Sequence, residues 1–223
     1  MTVNTPQAAQ PPAPRDYYGL PVVEADALPD ELRSLVARAH DLIEAVANTT
    51  ADRETLAEAT AAVQSLTDTL NAARREPATM VFRGHHDGVS EYGTITNIVS
   101  GDTNPAAPPL VLERTEEGVR GEVTLDNLYQ GPPGCVHGGW IAALLDQAIG
   151  SASAFATSVG MTARLEVDYR RPTPLFMPLE ITAGVERVEG RKVYVRGEIR
   201  AHGKVTAEAR ALMIQVTLPK DDS

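Results

Sequence analysis

The segment from Gly131 to Gly150, GPPGCVHGGWIAALLDQAIG, sets a proline- and glycine-rich turn, a His-Gly-Gly triplet and one carboxylate into an otherwise apolar stretch. Pro132 and Pro133 stiffen the entry, and Gly131 and Gly134 permit tight backbone geometry. His137, Gly138 and Gly139 fall where a helix should start, so the first backbone N–H groups there lack intrahelical partners. Without side chains, Gly138 and Gly139 let an oxygen atom approach those donors. The positive end of the helix then favours negative charge developing on that oxygen. This is the chemistry of an oxyanion hole.

Asp146 lies two turns further on, between WIAALL and QAIGSASA. A lone carboxylate there is costly unless it is solvated, hydrogen-bonded or used in chemistry. Taken alone, an exposed stripe shared with Gln147 and a functional role weigh equally. Distance decides how the two features could cooperate. Eight helical residues span roughly 12 Å, whereas oxyanion donors and a base or nucleophile must each lie within about 3 Å of the reacting group. One carbonyl cannot reach both groups of one chain. Cooperation would need two chains, with antiparallel helices across a two-fold axis bringing Gly138 of one to Asp146 of the other.

Rival chemistry is weaker. Cys135 and His137 sit next-but-one on a turn with no third orienting group, so Cys135 reads as a small packed side chain. As the only cysteine, it leaves no internal disulfide and no cysteine-based zinc cluster. His85, His86 and Asp87 have no matching ligand spacing elsewhere and read as a solvated loop.

The elements that must position these groups follow from periodicity. Residues 1–29 read as a disordered or extended arm rich in proline, alanine and glutamine, packing locally through Tyr17, Tyr18 and Leu20. After Pro29-Asp30, the run Leu32, Leu35, Val36, Ala39, Leu42, Ile43 and Val46 has helical spacing, and Leu56, Ala59, Val63, Leu66, Leu70 and Ala73 repeat it beyond NTTAD. Residues 30–78 are thus expected to form a helical hairpin whose apolar stripes face each other or the main domain. A loop-rich passage follows, with a short extended piece around Tyr92 to Ile98. GVRGEVTLD and MTARLEVDYRRP then alternate on either side of the helix, the second with Leu165, Val167 and Tyr169 opposite Arg164, Glu166, Asp168 and Arg170. LEITAGVERVEG and RKVYVRGEIRA flank Gly190 as a hairpin, and KVTAEARALMIQV follows His202-Gly203. Four or five antiparallel strands with one central helix predict an α+β domain over 79–217, leaving 218–223 as a tail.

Composition bounds the function classes. The net charge of −10 argues against general nucleic-acid binding. The N-terminus lacks the pattern of a signal peptide and no window approaches a membrane span, so a cytoplasmic protein without membrane insertion is expected. Aromatics are only 4% of residues, which implies a core of small aliphatic side chains in close packing.

GPPGCVHGGWIAALLD together with MTARLEVDYRRPTPL resembles the hotdog-fold acyl-CoA thioesterases of the 4-hydroxybenzoyl-CoA thioesterase superfamily, in the PaaI-like branch. It is most similar to the subgroup carrying GPPG-x-x-HGG before a helix aspartate. The resemblance covers Leu110 to Val216 and implies a hotdog fold: an antiparallel sheet wrapped around a long central helix, with dimeric or tetrameric assembly and sites at the dimer interface. It assigns the oxyanion donor to Gly138 with support from His137, the nucleophile or general base to the partner's Asp146, and the small hydroxyl of the next strand to Thr162. Gly139 and Trp140 are candidates to contact the substrate, Trp140 either lining the acyl pocket or filling the interface, and Arg170 and Arg171 are candidates for coenzyme A phosphates or an exposed strand end. Relatives with asparagine six residues before the histidine differ from this chain, which has Gly131 there.

The expected activity is hydrolysis of a fatty or aryl acyl-CoA, without metal or cofactor. The alternative is a non-catalytic hotdog protein that binds acyl-CoA or a protein partner. A hotdog enoyl-CoA hydratase would need a different Asp/His pair on the helix.

Overall fold

The computed structural model describes residues 19–84 and 90–216. Its centre is helix α3, Gly138–Ala156. Ile141, Leu144, Leu145, Ala148, Ile149 and Ala152 are buried at three- and four-residue intervals, which turns one apolar face into a sheet. That sheet has six strands: β4 (Val111–Thr115), β5 (Gly118–Thr124), β6 (Gly160–Tyr169), β7 (Pro178–Glu189), β8 (Lys192–Ala201) and β9 (Lys204–Gln215). Their order is β4-β5-β7-β8-β9-β6, and every neighbouring pair is antiparallel.

The alternation that predicted these strands also sets their inner face. Val193, Val195, Gly197, Ile199 and Ala201 are buried along β8. Along β9, Ala207, Ala209, Ala211 and Met213 do the same. These small residues let α3 lie close to the sheet. At Gly197 an added Cβ would stand 3.2 Å from Ile149 Cγ1, closer than ordinary van der Waals contact, so the Ile149 side chain would have to give way. This is the expected hotdog architecture with one more strand than the sequence suggested. Strand β4 follows a proline-rich loop and is only five residues long, so alternation was too brief to announce it.

A second, three-stranded sheet stands apart, built from β1 (Val22–Glu24), β2 (Met80–Gly84) and β3 (Ser90–Thr94). Val22–Glu24 pairs in parallel with Met80–Phe82, so part of the stretch read as an arm is a strand. Its signal was hidden because a three-residue strand has no measurable period. Leu28, Val81 and Ile95 form the buried cluster beside it, with Leu32 packed on. The expected domain start at residue 79 therefore opens on this small sheet, and the large sheet begins at Val111. The readings made for Tyr17, Tyr18, the loop of His85, His86 and Asp87, and the tail lie outside the described residues.

Both helices of the expected hairpin form, as α1 (Asp30–Asn48) and α2 (Arg53–Asn71). Asp52 caps α2 by accepting from the Thr55 N–H at 2.8 Å. Their seam, however, is open within one chain. Leu42, Ile43, Val46, Leu56, Val63, Leu66 and Leu70 are all exposed, and the helices flank a cleft of about 620 Å³ lined by Leu35, Val36, Ala39 and Leu70. Periodicity shows that a stripe exists but not what covers it. α1 is tied to the large domain by His40, whose Nδ1 lies 2.8 Å from the Pro105 carbonyl oxygen and whose Nε2 lies 3.0 Å from Asp126 Oδ2.

Candidate active site

The GPPG sequence makes a closed turn. Cys135 N–H donates to the Pro132 oxygen at 2.9 Å, and Gly134, third of the four residues, has φ +73°. Proline second and glycine third is the sequence logic of a type II turn. Gly131 N–H then donates to the Cys135 oxygen at 2.9 Å, and His137 N–H to the Tyr129 oxygen at 2.8 Å. The chain thus folds back until His137 lies on Gly131. A Cβ at Gly131 would stand 2.8 Å from His137 Cα, so no side chain fits there. Glycine in place of asparagine belongs to this close approach.

His137 is the N-cap of α3, and its Nδ1 accepts from Gly139 N–H at 3.0 Å. Nδ1 must therefore be unprotonated and the ring proton must sit on Nε2. Trp140 and Ile141 N–H both donate to the His137 oxygen. Gly138 N–H takes no acceptor among the described residues, and it stands at the positive end of a 19-residue helix. The donor expected from the sequence is thus free, while its neighbour Gly139 is spent on the cap.

Asp146 is half-buried on α3. Thr162 Oγ1 donates to its Oδ1 at 2.8 Å. Strict alternation along β6 would have pointed Thr162 away, since it shares parity with Arg164, Glu166 and Asp168. A bulge between Thr162 and Arg164 in the pairing with β9 leaves Ala163 unmatched and reverses the phase. Thr162 is thereby turned to the same helix-facing side as Leu165, Val167 and Tyr169. At the other end of β6, Tyr169 Oη donates to the Gly138 oxygen at 2.9 Å. Alternation marks Tyr169 only as a strand residue. An odd separation of seven residues between two side chains needed on one face is the signal that could have revealed the bulge.

The remaining candidates fall outside this cluster or face inward. Trp140 packs edge-on against Tyr129, with ring centroids 5.0 Å apart at 83°. Burial pushes the Tyr129 phenol up, Asp126 adding to the effect, and its hydroxyl donates to the Ala106 oxygen at 3.3 Å. Arg170 Nε donates to Glu208 at 2.8 Å, and Asp168 flanks the same guanidinium. The bond to Glu208 raises the Arg170 pKa further above its ordinary value. Arg171 Nη1 donates to the Val205 oxygen at 2.7 Å. Cys135 is half-buried in the turn and makes no hydrogen bond to His137 among the described residues. No group of three or more metal-ligating side chains occurs among the described residues.

A long helix wrapped by an antiparallel sheet, with an open glycine N–H at the helix start and a threonine-held carboxylate two turns on, defines a protein of the hotdog fold. Comparison with known proteins agrees. Residues 133–208 match the Thioesterase superfamily. The crystal structure of a thioesterase superfamily protein aligns over 86% of this chain and 98% of its own, with 34% identity and a TM-score of 0.74. The chain belongs to the thioesterase superfamily. Among curated relatives, the acyl-coenzyme A thioesterase THEM4 of Xenopus laevis is 42% identical over 89 residues, 39% of this chain and 40% of that protein. The Rattus norvegicus THEM4 is 36% identical over 92 residues, again 40% of its length. The matches therefore span about two fifths of these relatives. No helix among the described residues is long and apolar enough to cross a membrane.

Proposed function

We propose that this protein hydrolyses acyl-CoA thioesters to a free acid and coenzyme A, using Gly138 of one subunit and Asp146 of its partner. The observation that carries this reading is the pair of prepared groups on one helix, a free Gly138 N–H and an oriented Asp146, held too far apart to share a carbonyl. The thioester oxygen would accept from Gly138 N–H and from His137 Nε2–H as charge develops on it. Asp146 either attacks the carbonyl carbon or takes a proton from the water that does. In both routes a C–O bond forms, the C–S bond breaks and coenzyme A leaves as a thiolate; in the first, water then cleaves the acyl–Asp146 anhydride, releasing the free acid and restoring the carboxylate. Thr162 holds the carboxylate for either role.

The outer edge of β6 is the natural joint for the second subunit. It closes the sheet at one end, and Met161 and Tyr169 on it are exposed. Two β6 strands paired across a two-fold axis would run the sheets together and bring the α3 helices side by side. Arg171 is the better placed of the two arginines for coenzyme A phosphates, since Arg170 is already paired with Glu208 and Asp168. The reading includes a cytoplasmic location and chemistry without metal or cofactor.

The test is thiol release from a panel of acyl-CoA chain lengths. Asp146→Asn should lower kcat by about a hundredfold or more, the scale of losing a base or nucleophile. Binding without release by the wild type would leave an acyl-CoA-binding protein, and an undiminished Asp146→Asn would remove Asp146 from the reaction.

A further inference from the structure

We infer that Tyr169 is a positioning residue that tightens the hold of the Gly138–Gly139 peptide on His137 Nδ1. The inference rests on the hydrolytic reading above for its kinetic consequence but not for its geometry. Tyr169 Oη donates to the Gly138 carbonyl oxygen at 2.9 Å. The N–H of that same peptide, carried by Gly139, donates to His137 Nδ1 at 3.0 Å. One peptide unit is thus bonded at both ends, and each bond polarises it in the sense that strengthens the other. The consequence is a relay from hydroxyl to imidazole. Nδ1 is kept as an acceptor, Nε2 keeps the proton, and Nε2–H is left to point at the oxygen that gains charge.

Two further observations favour this assignment over a general structural role. The ring of Tyr169 stands against the backbone of Gly138: a Cβ there would meet Oη at 3.4 Å and ring carbons at 3.5 Å. The side chain therefore braces the residue that presents the free N–H. Tyr169 also lies outside the core cluster that packs α3 against the sheet, and is 55% exposed in the single chain. Its hydroxyl is aimed at one carbonyl, and the bulge at Ala163 lets the same strand carry Thr162 to Asp146 and Tyr169 to Gly138. Strand β6 holds both halves of the chemistry, one near each end.

Tyr169→Phe tests the idea, because it removes the hydroxyl and keeps the ring. In the full-length protein, kcat should fall roughly threefold to tenfold, the range for one lost neutral hydrogen bond, with KM moving less than about twofold. The ring-nitrogen resonances of His137, assigned by comparison with His137→Gln, should report Nε2–H in both proteins and a shifted Nδ1 resonance in Tyr169→Phe, where the bond from Gly139 is weaker. A wild-type protein that releases no thiol would sink the hydrolytic reading while the Nδ1 resonance still decides the relay. An unchanged His137 Nδ1 resonance in Tyr169→Phe overturns the inference, as does an unchanged kcat in an active enzyme.

Discussion

Gly131 shows how a single missing side chain can set a site. Its hydrogen atoms face His137 Cα, and a methyl group there would stand 2.8 Å from backbone rather than from a movable side-chain tip. Gly131→Ala must push the His-Gly-Gly segment away, at a cost of roughly 1–3 kcal/mol, the usual range for overpacking. Chemical denaturation should show that loss, and thiol release should fall with it because Gly138 N–H moves. An alanine variant with wild-type stability and turnover would mean that the turn is looser than the geometry implies. Gly138→Pro is the complementary change. It deletes the donor N–H at the first helical position, where proline is tolerated and where the preceding His137 is already extended at φ −63°, ψ 137°. The expectation is a folded protein with kcat lowered by about 10²–10³, the effect of removing one oxyanion donor.

At the scale of elements, α1 is joined to the large domain by an ionisable clasp as well as by the Asn127–Asn48 hydrogen bond. Both ring nitrogens of His40 face acceptors, the Pro105 carbonyl and the Asp126 carboxylate, so only the imidazolium satisfies both at once. Burial alone pulls this histidine down. The bonds to Pro105 and Asp126, with the charges of Asp126 and Asp41, outweigh it and raise the pKa above 6.5. A raised folded-state pKa gives stabilisation that is complete below the unfolded value and fades as pH climbs through the folded value. The stability difference between wild type and His40→Gln should thus be largest near about pH 5.5 and shrink by about pH 8.5. A difference that stays constant across that range would show that His40 acts without its charge.

For the whole molecule, the decisive question is whether one chain makes a site. Separately inactive Gly138→Pro and Asp146→Asn proteins, mixed and allowed to exchange, should regain about a quarter of wild-type turnover. Half of randomly paired dimers are mixed, and each mixed dimer has one site with both groups intact. Absence of recovery after exchange is verified by mass would argue for sites within one chain. The exposed stripes of α1 and α2 belong to this scale too, since Leu56, Val63, Leu66 and Leu70 are uncovered in a single chain.

Local chemistry and periodicity determined much of this protein from its sequence. His137, Gly138 and Asp146 stand out as candidates because glycines beside prolines and a carboxylate in an apolar helix each have few physical reasons to be there. The 12 Å argument needed only helix rise, and the family likeness followed from motifs that lie within about 40 residues. Only tertiary structure decided how β6 faces the helix. Alternation gave Thr162 the wrong parity, and the bulge that corrects it is a property of pairing with β9, invisible in one strand's pattern. The same holds for Val22–Glu24, which is a strand only because Met80–Phe82 lies beside it, and for Tyr169, whose hydroxyl finds Gly138 across 31 residues of chain. Period and composition are read along the chain, whereas register, close approach and hydrogen-bond partners exist only between segments that folding brings together.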